Sequence, residues 1–151
     1  MEYNNPSLLI KELNFGEDAK TKINAGVTKL ASAVKSTLGA SGRCVIYEDA
    51  RGNPVITKDG VTVAESVVLY DPVENIGATL IKEAARNTVK EAGDGTTTAT
   101  VLSEALLQRY NKTKEADRSV RLGVLSCLDK VVKYLDDIKI EVTDELLEHV
   151  A

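Results

Sequence analysis

Apolar residues recur at helical spacing along most of this 151-residue chain, which restricts the fold to a mainly α-helical one. The spacing predicts long helices over residues 18–38, 72–92, 96–110 and 119–138, with a last helix capped by Thr143. Gly39 is expected to end the first helix as a left-handed cap would, and Gly93 is expected to break the second helix. The residues expected to line the apolar stripes of the four long helices are Ala19, Ile23, Val27, Leu30, Ala31, Val34 and Leu38; Val73, Ile76, Gly77, Leu80, Ile81, Ala84, Ala85 and Val89; Val101, Leu102, Ala105 and Leu106; and Val124, Leu125, Leu128, Val131, Val132 and Leu135.

One segment departs from the helical period. β-Branched residues are concentrated at 44–47 and 55–57, on either side of the turn-forming string DARGNP, and this pattern predicts a β-hairpin. An isolated hairpin is only marginally stable in water, so we expect it to pair with the N-terminal segment or with a neighbouring subunit. The predicted fold is a helical bundle with one hairpin.

Composition narrows the classes of function. A length of 151 residues with 43% hydrophobic residues suits one ordinary domain with a real core. The net charge of −4 and the absence of a Lys/Arg cluster argue against a nucleic-acid partner. Nowhere do 18 apolar residues follow one another, so neither secretion nor membrane insertion is indicated, and a cytoplasmic location is expected.

The residues of the common catalytic triads give no support for nucleophilic catalysis. Cys44 and Cys127 lack CxxC spacing and are expected to be buried small hydrophobes in a reducing compartment, with a disulfide or redox role as the alternative. His149, the single histidine, lies near the C-terminus on a charged face, where a solvated role is at least as plausible as a catalytic one.

Three glycine-containing turns fall at junctions between the predicted elements: TLGASGR at 37–43, KDG at 58–60 and AGDGTTT at 92–98. Glycine allows the backbone to approach a ligand closely, and the first turn of a helix offers unsatisfied amides, so these turns favour an anion site. Asp94 would repel a phosphate there unless a cation lay between them, which implies Mg²⁺ held by Asp94 and phosphate oxygens.

A purely structural interpretation stays open for each turn taken alone. GDGT is also an ordinary helix start, KDG an ordinary turn and TLGxxGR an ordinary helix end. Neither a GxxxxGK[ST] string nor a GxGxxG string after a strand is present, so the familiar nucleotide-binding folds are not indicated.

The combination and order of the motifs resemble the group I chaperonins of the GroEL type. The strings that carry the resemblance are NFGEDAK (14–20), VKSTLGASGR (34–43), ITKDGVTVA (56–64), ENIGATLIKEAA (74–85) and AGDGTTTATVL (92–102), of which AGDGTTTAT is the most specific. The resemblance is close over residues 12–110 and weaker beyond them. It implies an N-terminal extension at 1–11, the N-terminal half of an equatorial ATPase domain at 12–140 and the start of an intermediate domain at 141–151.

In that family an apical domain and a returning half of the equatorial domain complete the subunit, and neither is expected in this sequence. The apolar residues Val142, Leu146, Leu147 and Val150 also begin a stripe that nothing afterwards completes. The sequence is therefore interpreted as a fragment or as the product of a short gene.

The resemblance implies a role for each motif. The turn of Thr37, Leu38 and Gly39 would pack against ATP, Lys58 and Asp59 would lie at the phosphate end, and Asp59 would orient the attacking water. The remaining ATP contacts would be Asp94, Gly95, Thr96, Thr97 and Thr98. Asp94 would ligate Mg²⁺, while Thr97 and the backbones of Thr37 and Lys58 would hold K⁺.

Two departures limit what the resemblance implies. Ala40 and Ser41 stand where family members usually carry Pro-Lys, so the first turn lacks one positive charge and some rigidity. The family's second catalytic aspartate and its adenine and ribose contacts come from the returning half. The isolated chain is therefore expected to hydrolyse ATP poorly or not at all.

The function implied is that of an ATP-dependent chaperonin subunit in a homo-oligomeric, heptameric ring. Its partners would be non-native polypeptides, with a lid co-chaperonin as a further candidate. A first strand at about 12–14 would join the hairpin of the next subunit at 44–57. The alternative is a short non-ATPase module that binds or caps chaperonin rings, and a plain helical domain without a ligand would require every motif to be accidental.

Overall fold

The computed structural model describes residues 13–113, 117–144, 146 and 147, and within these residues it contains five helices and one β-hairpin. The predicted mainly helical fold with one hairpin is confirmed. The elements in chain order are α1 (Gly16–Lys35), β1 (Val45–Glu48), β2 (Pro54–Thr57), α2 (Gly60–Ser66), α3 (Pro72–Ala92), α4 (Thr96–Lys112) and α5 (Asp117–Ile138).

The apolar core lies where α1, α2 and α3 meet. Its cluster of buried residues consists of Val27, Leu30 and Val34 from α1, Val63 and Ala64 from α2, and Ala78 and Ile81 from α3. Burying such side chains stabilises the fold by roughly 1.5–3 kcal/mol for each large one. These three helices therefore form the framework on which the candidate site is built.

Strands β1 and β2 pair antiparallel, with Ile46 opposite Ile56 and Tyr47 opposite Val55. Gly52 adopts a positive φ of 83° in the connecting turn, and Asp49 accepts hydrogen bonds from the amides of Arg51 and Asn53 at 2.8 Å each. The hairpin is thus fixed by turn chemistry within the segment that the sequence predicts. Ile46 and Ile56 remain on an exposed face.

The apolar stretch after the Lys-Asp-Gly turn forms helix α2, an element to which the sequence pattern gives no assignment. Asp59 is its N-cap, because its Oδ2 atom accepts from the Thr62 amide at 2.8 Å and from the Thr62 hydroxyl at 2.5 Å. At its other end, the buried Lys82 Nζ donates to the carbonyl oxygens of Val67 at 2.6 Å and Glu65 at 3.2 Å. Both ends of this short helix are therefore fixed by side chains.

The predicted limits of α3 are confirmed in detail. Asp71 caps the helix by accepting from the amides of Val73 and Glu74, Pro72 occupies the first turn, and Gly93 ends it with a φ of 77°. The limits of α1 are not: this helix ends at Lys35, and the left-handed Gly39, with a φ of 74°, lies four residues beyond its end. The helix ends early because both the amide and the hydroxyl of Thr37 turn back to the Val34 carbonyl.

Some predicted core positions are wrong. Leu38, Ile76 and Leu80 are about half exposed. In α4 the predicted inward residues Leu102, Ala105 and Leu106 are exposed and Val101 is only partly buried. The buried residues of α4 are instead the polar Thr96, Thr100 and Glu104, spaced four residues apart on one face.

The cysteine prediction is also wrong, because Cys44 and Cys127 are both free and exposed. Cys44 immediately precedes β1, and Cys127 lies on α5, a helix that buries none of its residues. Within the part of the chain that the structure describes, no helix has the length and apolar character needed to cross a membrane.

The described residues divide into two compact units near Lys112, the second of which contains α5. After α5, the Thr143 carbonyl accepts from the amides of Leu146 and Leu147 and begins a helical turn. Several predictions concern residues that lie outside the described part of the chain: the extension at 1–11, His149 and Val150. Of the predicted strand at 12–14, residue 12 also lies outside it, and residues 13 and 14 are not in a strand. The predicted domain limits at 11 and 140 stay predictions.

Candidate functional site

The turn of Thr37, Leu38 and Gly39 follows directly from the end of α1. The Thr37 hydroxyl donates to the Val34 carbonyl at 2.8 Å, and the Gly42 amide donates to the Gly39 carbonyl at 2.9 Å. The Arg43 amide closes the loop on the Ser36 carbonyl at 2.7 Å. The positive φ of Gly39 permits this compact path, so the turn is held in place from both ends.

Lys58 and Asp59 form the two-residue connection between β2 and α2. The hydrogen bonds from the Thr62 hydroxyl and then the Thr62 amide lower the pKa of the Asp59 carboxyl, while partial burial acts in the opposite direction. Asp59 therefore carries its negative charge at neutral pH. Its Oδ2 atom holds the start of α2 through the amide and the hydroxyl of Thr62.

Asp94 lies between two glycines in left-handed conformations, Gly93 with a φ of 77° and Gly95 with a φ of 88°. The Gly95 amide donates to Asp94 Oδ1 at 2.6 Å, and α4 begins one residue later. The first backbone bond of α4 runs from the Ala99 amide to the Gly95 carbonyl at 2.8 Å. The amides of residues 96–98 precede that bond, which leaves them as the donors that a helix start offers to an anion.

A close approach between Gly60 and Thr97 brings two of these segments together. A Cβ atom on Gly60 would overlap the Thr97 hydroxyl, and it would lie 3.4 Å from Thr97 Cβ and 3.5 Å from Val34 Cγ1. Val34 is also the residue whose carbonyl holds the Thr37 turn. The start of α2, the start of α4 and the end of α1 therefore meet.

Comparison with known protein families matches residues 30–151 to the family described as the TCP-1/cpn60 chaperonin family. The chain belongs to this chaperonin family.

A solved structure extends the comparison to the fold. The chaperonin gp146 from the bacteriophage EL 2 (Pseudomonas aeruginosa), crystallised in the presence of ATP-BeFx, is similar to this chain with a TM-score of 0.74 and 31% sequence identity. The similarity covers 84% of this chain and 22% of the gp146 chain, so the chain spans less than a quarter of that chaperonin's length. The resemblance read from the motifs is confirmed at the level of the chaperonin family.

Two residues that the sequence analysis did not single out form a contact between α1 and α4 in this chaperonin chain. Glu104 of α4 is 2% exposed, and its carboxylate pairs with the ammonium of Lys35, the last residue of α1. The Gln108 amide donates to the other carboxylate oxygen at 2.9 Å. The only signal in the sequence is the four-residue spacing from Thr96 through Thr100 to Glu104, which a search for apolar stripes passes over.

Two further features bear on where ligands could bind. No group of three or more His, Cys, Asp or Glu side chains that could hold a metal occurs among residues 13–113, 117–144, 146 and 147, so a magnesium ion here would depend on Asp94 and on oxygens of its own ligand. A groove of about 710 Å³ lies between the hairpin and α2. None of the predicted ATP-binding residues lines it, and we therefore place the candidate site at the meeting point of the motifs and not in this groove.

Proposed function

We propose that this chain carries the triphosphate-binding half of the ATPase site of a group I chaperonin subunit. In the complete protein, ATP binding and hydrolysis would drive the folding of non-native polypeptides inside a heptameric ring, with a lid co-chaperonin as a further candidate partner. The observation that carries the proposal is the approach of Gly60 to Thr97, which sets the Lys-Asp-Gly turn beside the start of α4.

The start of α4 has the donors that a triphosphate needs. The amides of residues 96–98 and the positive end of the helix dipole attract phosphate oxygens, and the threonine hydroxyls add further donors. Lys58, in the neighbouring connection, adds a positive charge. Gly93 and Gly95 have no Cβ atoms, which allows a phosphate chain to approach the backbone on both sides of Asp94.

Asp94 fits the role of a magnesium ligand because it is exposed within this turn and only one of its oxygens accepts the Gly95 amide. A bound Mg²⁺ would neutralise charge on the phosphate oxygens. The Thr97 hydroxyl, with the backbone carbonyls of Thr37 and Lys58, fits the oxygen-rich set that K⁺ prefers. The cytoplasm, which is rich in this ion, is the location that the proposal implies.

Asp59 fits the role of orienting the attacking water. Its lowered pKa keeps the carboxylate ionised at neutral pH, and both bonds from Thr62 go to one of its oxygens, Oδ2. The adenine and ribose contacts and a second aspartate would come from the remainder of a full-length subunit. We therefore expect this chain alone to bind nucleotide through its phosphates and to hydrolyse it slowly or not at all.

Calorimetric titration of the chain with ATP, with and without Mg²⁺, tests the binding half of the proposal. Wild-type chain should bind ATP more tightly with Mg²⁺, and Asp94→Ala should lose that magnesium-dependent part. Asp129→Ala removes a carboxylate from the exposed α5 and is the matched control. Binding that is equal in Asp94→Ala and wild type would contradict the metal role.

The catalytic half needs the assembled ring. Asp94→Ala in a complete subunit should abolish ATP hydrolysis while the ring still elutes at its assembled size in gel filtration. Normal hydrolysis by that variant would contradict the assignment of Asp94.

The alternative, a non-ATPase module that binds or caps chaperonin rings, is favoured by one observation. Ile46 and Ile56 form a cross-strand pair on the exposed face of the hairpin, where a further strand could add. Two measurements together distinguish the ATPase subunit from the non-ATPase module: the intact mass of the natural gene product and a pull-down with chaperonin rings. A product that ends near residue 151 and co-purifies with rings without nucleotide binding would favour the module.

A further inference from the structure

Helix α4 is held to its neighbours differently from the core helices. No residue of α4 belongs to the described core cluster, whose members come from α1, α2 and α3. Two polar or charged side-chain contacts join α4 to α1: the pair of Lys35 with Glu104, and Lys20, whose Nζ atom lies 5.8 Å from the centre of the Tyr110 ring. Specific polar and charged groups therefore help to fix the position of α4 against α1.

The pair of Lys35 and Glu104 is the most buried of these contacts on the α4 side. Glu104 is 2% exposed, whereas the side chain of Lys35 is 42% exposed and reaches the carboxylate from the surface. A buried carboxylate is costly unless it is paired and fully hydrogen-bonded, and Lys35 and Gln108 together satisfy both oxygens of this one. On the same face of α4, the buried Thr100 hydroxyl has no hydrogen-bond partner within the described part of the chain. The buried face of α4 therefore contains a polar group that costs stability.

Lys35 and Glu104 each lie on a helix that ends or begins at the candidate phosphate site. Lys35 is the last residue of α1 and stands two residues before Thr37. Glu104 stands eight residues after Thr96, which places it about 12 Å along α4 from the candidate phosphate site. Neither residue is one of the predicted ligand contacts, yet each belongs to a rigid helix that ends or begins at those contacts.

We propose that Lys35 and Glu104 are positioning residues for the triphosphate: their ion pair sets the spacing between the Thr37–Gly39 turn and the first turn of α4. This inference rests on the proposed nucleotide function of the site. If the pair is broken, the Glu104 carboxylate gains water or a new partner, and α4 shifts against the end of α1. A shift of about 1 Å in such a site can lower the efficiency of binding or reaction by one to two orders of magnitude.

The experiment uses the complete chain and four substitutions. Glu104→Gln and Lys35→Gln each remove one charge at nearly constant size, and Lys35→Arg keeps the charge. Lys29→Gln is the matched control, because Lys29 is also on α1 and pairs at 2.5 Å with Glu74 of α3, away from α4. Affinity for a non-hydrolysable ATP analogue with Mg²⁺ is measured by calorimetry, and amide hydrogen exchange is measured without nucleotide.

We expect Glu104→Gln and Lys35→Gln each to weaken binding of the analogue about tenfold and to speed amide exchange at residues 36–43 and 94–99. Lys35→Arg and Lys29→Gln should leave both measurements close to wild type. Unchanged affinity and exchange in Glu104→Gln would overturn the inference. An equal loss in Lys29→Gln would also overturn it, because general destabilisation would then explain the effect.

The two proposals fail in different ways. If wild-type chain binds no nucleotide, the proposed function is contradicted, and hydrogen exchange alone decides whether the pair orders the two segments. If Glu104→Gln does not fold, as judged by circular dichroism, the comparison of Lys35→Gln with Lys35→Arg still decides the matter, because the Lys35 side chain is partly exposed, unlike that of Glu104.

Discussion

Gly26 of α1 lies against the backbone of Glu74 in the first turn of α3, so closely that a Cβ atom there would be 2.6 Å from the Glu74 carbonyl carbon. Gly77 makes the reciprocal contact, and its Cβ would lie 2.9 Å from the carbonyl carbon of Ile23. Both obstacles are backbone atoms, which cannot rotate away. The two glycines therefore set the separation of the helices that form the core.

We predict that Gly26→Ala and Gly77→Ala each destabilise the chain by about 1–3 kcal/mol, because the two helices must move apart. Gly123→Ala on α5 is the control: no atom lies within 4 Å of the added Cβ, and alanine should stabilise the helix there by roughly 0.5–1 kcal/mol. Urea unfolding followed by circular dichroism measures all three. Stabilisation by Gly26→Ala would show that the helices do not cross this closely.

The next prediction concerns the buried Lys82. Its ammonium donates to the carbonyls of Glu65 and Val67 at the end of α2, and burial lowers the pKa of Lys82, with the nearby Glu65 carboxylate acting against this. Lys82→Ala leaves these carbonyls without that donor, so we expect a loss of about 1–3 kcal/mol in the free energy of unfolding. Lys90 lies on the exposed side of the same helix. Like other surface substitutions, Lys90→Ala should change the free energy of unfolding by about 0.5 kcal/mol at most. Equal effects of the two would contradict the role of Lys82.

Acid should weaken the start of α3. Hydrogen bonds from the Glu74 amide, and then from Val73, lower the pKa of Asp71, and Lys22 at 3.4 Å adds to this, while burial partly opposes it. A carboxyl with a lowered folded-state pKa stabilises the fold fully above its unfolded value of 3.8 and loses that contribution as the pH falls through the folded value.

Asp71→Asn tests this dependence, because asparagine can cap the helix without a charge. We expect wild type to have the higher Tm at neutral pH, and the difference to shrink toward zero by about pH 2–3. Other carboxyls with lowered pKa values, such as Asp49 and Asp59, act equally in both proteins, so the difference isolates Asp71. A difference in Tm that does not depend on pH would contradict the assignment.

The sequence predicts best those features that local chemistry determines. The limits of α3 follow from Asp71, Pro72 and Gly93, each of which acts on its own backbone. The apolar spacing predicts the end of α1 too late, because it continues to Leu38 although the Thr37 hydroxyl already closes the last turn on the Val34 carbonyl. Periodicity reports which residues share a face and cannot report a local bond that ends the helix.

The buried face of α4 could not be predicted for a different reason. Its apolar residues Leu102 and Leu106 form a stripe, yet the face toward α1 is the polar one with Glu104. What makes that burial possible is Lys35, 69 positions away in the sequence. Such a pair becomes visible only when the two helices are placed side by side.

The last prediction uses the contact between Gly60 and Thr97. Gly60 does not have a positive φ, so alanine suits the backbone there, and its Cβ would overlap only the Thr97 hydroxyl, the movable end of a side chain. We expect Gly60→Ala to lower Tm by only a few degrees, which corresponds to a loss of about 1 kcal/mol in the free energy of unfolding. The rotated Thr97 hydroxyl would no longer face the Lys-Asp-Gly turn, so K⁺-dependent binding of MgATP should weaken.

A double substitution separates the steric effect from a general one. Thr97→Ala alone removes the hydroxyl and should lower K⁺-dependent binding as well, and Gly60→Ala should then have little further effect in its presence, because the overlapping atom is gone. Wild type, the two single variants and the double variant are each titrated with MgATP by calorimetry, once in K⁺ and once in Na⁺. If the losses of K⁺-dependent binding free energy caused by the two substitutions are instead additive, Gly60 does not act through Thr97. The contact that joins the two motifs would then have no part in binding.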